Sequence, residues 1–139
     1  MNAKEFLSRG RYLESHVKSL MEHIEYYRSL VNSCSLVYSD VPRSTVSGDK
    51  LEDCTQKIID LQTRLGNDMA DLVRVKCEIS EAIRHMENFE NQDLLVKRYV
   101  CNKSWETVAA ELGYSVPYIY RKHGEALKEF AAARAKASK

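Results

Sequence analysis

The chain has 139 residues, 44% hydrophobic and 29% charged, with only two prolines and five glycines. That balance excludes a disordered chain and predicts one small helix-rich domain, or a compact module with an elongated helical arm. The formal net charge of +1 hides a partition. Residues 1–90 carry twelve Lys/Arg against fifteen Asp/Glu, net −3, and residues 91–139 carry nine against five, net +4, a bias that fits an ordinary solvated surface and points to a polyanionic partner only where a binding geometry coincides with it.

From Ala3 to about Val31, apolar residues recur as Phe6, Leu13, Val17, Leu20, Ile24, Tyr27 and Val31. The steps after Leu13 alternate four and three, a 3.5-residue period that predicts a coiled-coil-like helix of about 43 Å at 1.5 Å per residue. Residues 32–48, NSCSLVYSDVPRSTVSG, are serine-rich, contain a proline and keep no period, so a loop is expected there. Asp49 with Glu52 three residues later resembles a capping box and marks the next helix start.

A second stripe runs Leu51, Cys54, Ile58, Leu61, Leu65, Leu72, Val75, Ile79, Ala82, Met86 and Phe89. One seven-residue phase holds from Leu51 to Met86, which favours a single helix across Gly66-Asn67 even though an interior glycine costs about 1 kcal/mol relative to alanine. Two such helices are expected to bury their stripes against each other as an antiparallel hairpin over residues 1–89, or against a second copy as a homodimer.

Chemistry-bearing residues are sparse in this half. Cys34, Cys54, Cys77 and Cys101 have no metal or redox spacing and are expected as reduced thiols, with Cys54 and Cys77, on or beside the apolar stripe, expected as small buried hydrophobes. His16 and His23 share a helix face two turns apart, but two ligands do not make a metal site. No metal, no cofactor and no enzymatic activity are expected, since there is no Gly-rich phosphate loop, ligand cluster or nucleophile motif. The apolar runs are too short to cross a bilayer and the N-terminus lacks a signal-peptide core, so a cytoplasmic protein without membrane contact is expected.

Residues 91–100, NQDLLVKRYV, read as a short helix presenting Leu94, Leu95, Tyr99 and Arg98 to a neighbour. Ser104 then caps a helix lined by Val108, Ala109 and Leu112, and Gly113 ends it by accepting a left-handed backbone. Ser115 caps the next helix, Pro117 sits harmlessly in its first turn, and Ile119, His123, Leu127 and Phe130 turn inward. Val108, Ala109, Gly113 and Ile119 fall where a helix-turn-helix needs an anchor, a small crossing residue, a turn and a lock.

With Ile119 inside, the first turns of the last helix offer Val116, Pro117, Tyr118, Tyr120 and Arg121 to a DNA major groove. Arg121 suits a bidentate contact to guanine, and Tyr118 or Val116 a thymine methyl or a phosphate. Lys103, Ser104 and Lys122 suit backbone phosphates, and Ser115 completes the expected DNA-binding set. Plainer roles compete: Tyr118 and Tyr120 as covers of the core edge, Lys122 as a solvated charge, and Arg134, Lys136 and Lys139 as a frayed helix end.

The run Ser104-Trp105-Glu106-Thr107-Val108-Ala109-Ala110-Glu111-Leu112-Gly113-Tyr114-Ser115, with Ile119 and His123-Gly124-Glu125-Ala126-Leu127, resembles region four of bacterial sigma factors. It is still more similar to the small sigma-like transcriptional regulators of phages and prophages of Gram-positive bacteria, the group of the ArpU- and RinA-type late-gene activators. The resemblance covers about residues 90–130, and residues 1–89 share only the layout. It implies an all-α protein with a C-terminal helix-turn-helix domain over 90–139 that binds double-stranded DNA in the host cytoplasm and contacts host RNA polymerase. Lys122, where such proteins bury an apolar residue, and Pro117, where they place a polar one, depart from the pattern. The competing expectations are a DNA-packaging subunit of the small-terminase kind and a structural coiled-coil adaptor.

Overall fold

The computed structural model describes residues 1–40 and 48–138, and every element among them is helical. Helix α1 spans Ala3–Asp40, α2 Gly48–Arg84, α3 Phe89–Leu95, α4 Trp105–Leu112 and α5 Val116–Ala137; α3 runs directly into a π-turn at Val96–Val100. Among the described residues no helix is long and apolar enough to cross a membrane.

Helix α1 starts on a reciprocal pair. The Asn2 side chain accepts the Glu5 N–H at 2.8 Å, and the Glu5 carboxylate accepts the Asn2 N–H at 3.0 Å, satisfying two donors that the first turn leaves open. The expected loop from Asn32 is corrected in its first half, because α1 stays helical to Asp40. Serines alone do not end a helix, and the sequence has no glycine or proline between Gly10 and Pro42. Residues 41–47 and the capping side chain of Asp49 lie outside the described residues. Helix α2 passes unbroken through Gly66, where an added Cβ would meet nothing within 4 Å.

The chain divides into two compact units, Met1–Leu13 with Leu72–Lys139, and Glu14–Asp71. In the second, Val17, Leu20 and Ile24 of α1 are buried, and Cys54, Ile58, Leu61 and Leu65 of α2 are half-buried on the expected stripe. His16 Nε2 lies 3.2 Å from an Asp68 carboxylate oxygen, and the Arg64 guanidinium is 3.7 Å from the same oxygen. His23 instead stacks near Tyr27, ring centroids 5.0 Å apart, so the two histidines have different surroundings.

The first unit holds the larger core. Leu7, Ile79, Ile83, Leu94, Leu95, Val108, Ile119 and Phe130 are all essentially inaccessible. Gly10 lets α1 approach closely: a Cβ there would stand 3.3 Å from Ile79 Cδ1 and 3.7 Å from the Tyr99 carbonyl oxygen. Glu129 of α5 ties the α2–α3 connection, accepting the Asn91 amide at 2.6 Å and the backbone N–H groups of Asn88 at 2.9 Å and Glu87 at 3.2 Å. Burial opposes the charge on Glu129, yet these three donors outweigh it and hold the carboxyl below its usual range.

Three expectations are corrected here. Phe89 leaves the α2 stripe, because α2 ends at Arg84 and Asn88 caps a new helix at Phe89, leaving that ring 79% exposed. Cys77 is exposed rather than buried beside the stripe. Arg134 is not in a frayed end: α5 continues to Ala137, and the guanidinium lies 4.0 Å above the Phe6 ring.

Candidate nucleic-acid interface

The segment from Ser104 to Arg121 is built by two caps and one left-handed residue. Ser104 Oγ accepts the Thr107 N–H at 3.2 Å and starts α4; Ser115 Oγ accepts the Tyr118 N–H at 3.3 Å and starts α5. Between them Gly113 adopts φ 80°, and the Tyr114 N–H returns to the Ala109 carbonyl at 2.9 Å. Nothing lies within 4 Å of a Cβ added at Gly113, so the glycine is needed for its backbone angle and not for space. Gly113→Ala is therefore expected to cost about 1–2 kcal/mol, the strain of a left-handed L-residue, measured as a lowered urea midpoint. An unchanged midpoint would contradict that geometry.

Val108 and Ala109 of α4 and Ile119, Ala126 and Phe130 of α5 are buried in one core. With Ile119 fixed inward, Pro117, Tyr118, Tyr120 and Arg121 are exposed and Val116 is half-buried. The aromatic rings are held by their neighbours: Tyr118 packs on Tyr114 with centroids 4.5 Å apart, and Tyr120 meets Trp105 edge-on at 5.5 Å. The Arg121 guanidinium lies 5.8 Å above the Tyr118 ring centroid.

The expected phosphate-contacting lysines are placed differently. Lys103 Nζ binds both carboxylate oxygens of Glu111, at 2.6 and 2.9 Å. Lys122 leaves only 11% of its side chain exposed and pairs with Glu90 at 3.2 Å. Its methylene stem is largely covered while its ammonium reaches the carboxylate. Glu90 is held below its usual range by Tyr114 first and Lys122 second, against burial. Ser104 and Ser115 are exposed, with their hydroxyls at the helix caps.

Behind this face lies a polar arrangement that sequence reasoning missed. Tyr99 is buried, and its hydroxyl is 2.7 Å from His123 Nε2. The Arg98 guanidinium covers the Trp105 ring at 4.4 Å and donates to the Lys103 carbonyl at 3.0 Å. Burial, then the positive charges of Lys4 and Arg98, push the His123 pKa down to about 4. A lowered imidazole pKa favours the neutral folded form, so its stability contribution is complete above the ordinary value near 6.5 and is lost as pH falls toward 4. Between pH 7 and 5 the unit is expected to lose about 1 kcal/mol through this half-buried ring, whose charge solvent partly screens. His123→Gln should remove that part of the pH dependence, and an identical slope in the variant would contradict the assignment.

Among the described residues, no three or more His, Cys, Asp or Glu side chains gather as metal ligands. Comparison of the chain with protein-family models, curated proteins and solved structures yields no significant match.

Proposed function

We propose that the chain is a sequence-specific DNA-binding transcriptional regulator of the phage sigma-like kind, acting beside host RNA polymerase. In this reading α4, the Gly113 turn and α5 form a helix-turn-helix, α5 is the helix that enters the major groove, and α1 with α2 forms an antiparallel hairpin. The observation that carries it is the division of one helical turn. Ile119 is wholly buried against the core, while its neighbours Tyr118, Tyr120 and Arg121 face solvent at the capped start of α5. A rigid, exposed helix start bearing arginine and aromatic groups suits base-edge contacts, and the net +4 of residues 91–139 suits a polyanion.

The two paired lysines modify the reading. Arg121 carries base recognition, with Tyr118 and Val116 against methyl groups or phosphate, while Lys103 and Lys122 are tied to their own carboxylates. A second copy would pack along α1 and α2, where Met21, Tyr26, Leu30, Ile59 and Met69 remain exposed, and a symmetric dimer would meet half-sites about 34 Å apart, one turn of DNA, or a multiple of that.

Duplex binding followed across a salt series tests the proposal. Neutralising phosphates releases counterions, so affinity for a duplex is expected to fall steeply as salt rises. No salt-sensitive affinity for any duplex would overturn it in favour of a protein-docking adaptor.

A further inference from the structure

A cleft of about 410 Å³ in the first unit is lined by the start of α1, the π-turn and the first turns of α4 and α5. Its charged lining consists of Lys4, Arg11 and Arg98, with no carboxylate among the described residues. The two arginines are held by neutral acceptors. Arg11 donates to the Arg98 carbonyl at 3.3 Å, and Arg98 to the Lys103 carbonyl at 3.0 Å. A carbonyl orients a guanidinium without cancelling its charge. An anion entering the cleft would therefore meet donors already in position. His123, also in the lining, senses the same field, since Lys4 and Arg98 add to burial in suppressing its protonation.

The remaining walls are aromatic. Tyr12 is 76% exposed and Tyr120 52% exposed, and Trp105 stands edge-on to Tyr120. The volume falls within the range of about 300–1,000 Å³ common to small-ligand sites. Flat ring faces beside three cations match a planar base carrying a phosphate, since stacking on a ring and charge-assisted contacts to phosphate oxygens act on different ends of one ligand.

We propose that this cleft binds a nucleotide, its phosphate against Lys4, Arg11 and Arg98 and its base against Tyr12 and Tyr120. The nucleotide is either free or one unit of a single strand. The cleft shares Tyr120 with the proposed duplex-reading face but contains neither Arg121 nor Tyr118, so Arg121→Ala separates the two sites.

Trp105, the one tryptophan of the chain, supplies the readout. The full chain is titrated with adenosine 5′-monophosphate, with adenosine, with inorganic phosphate and with a short single-stranded oligonucleotide, following tryptophan fluorescence. The expected result is a saturable change with the mononucleotide or the strand, about tenfold tighter than with adenosine or phosphate alone, since both ends of the ligand contribute. The tighter of the first two identifies the source. Arg11→Gln and Lys4→Gln should each weaken it several-fold, whereas Arg121→Ala should leave the mononucleotide response unchanged. Lys4 is exposed, so its variant keeps the test valid if Arg11→Gln fails to fold. No saturable response to mononucleotide or strand, equal affinity for phosphate alone, or an undiminished response in Lys4→Gln would overturn the proposal.

Discussion

Phe130→Ala is expected to destabilise the first unit by about 3–5 kcal/mol, the range for deleting a buried aromatic ring. Phe130 is completely inaccessible and lies in the core cluster with Leu94, Leu95, Ile119 and Ala126. Its ring is 5.9 Å from Phe6 and within 5.8 Å of the Arg134 guanidinium, so truncation removes dispersion contacts and leaves a cavity that fixed helices fill only in part. Alanine's better helix propensity offsets a few tenths of a kcal/mol at most. Denaturant unfolding followed by Trp105 fluorescence reports on this unit. A loss under about 1 kcal/mol would mean that α5 does not depend on the packing described.

Arg121→Ala is expected to cost about 1–3 kcal/mol in binding to a preferred duplex, roughly 10- to 100-fold, the worth of one bidentate arginine–guanine contact. The residue is exposed, so stability should change by less than about 0.5 kcal/mol. Lys122→Ala provides the contrast. Its ammonium already pairs with Glu90 and its stem is largely covered, so the variant should weaken the α5–α3 packing while leaving the salt dependence of duplex binding as in the parent. Anisotropy titrations of both variants at fixed salt measure the difference. Equal affinity of Arg121→Ala and parent would remove this residue from base reading.

Periodic and stereochemical signals were the legible ones. The seven-residue phase through Gly66 marked α2 as one helix, and the Ser104, Gly113 and Ser115 signals marked the limits of α4 and α5 because each acts locally, the serines through a hydroxyl to the N–H three residues on and Gly113 through its own backbone angle. Side chains whose roles depend on residues distant in sequence were not legible. Leu7 is fully buried although Phe6 fits the stripe better, because the core it joins is drawn from α2 through α5 and not from a single partner helix. The Glu129 carboxylate and the Tyr99–His123 bond join positions 38 and 24 residues apart, and periodicity carries no trace of such pairings. The covering of Lys122 was likewise not legible, because its partner Glu90 lies on another helix. The serine-rich stretch misled because composition suggested a loop where no helix-breaking residue occurs before Pro42.

Selection of bound sequences from a random duplex pool tests the central claim most directly, with the full chain as bait. The account predicts enrichment of a short motif containing guanine, and loss of preference at that guanine when the selection is repeated with Arg121→Ala. A pool that stays random after repeated rounds with the parent chain would contradict it.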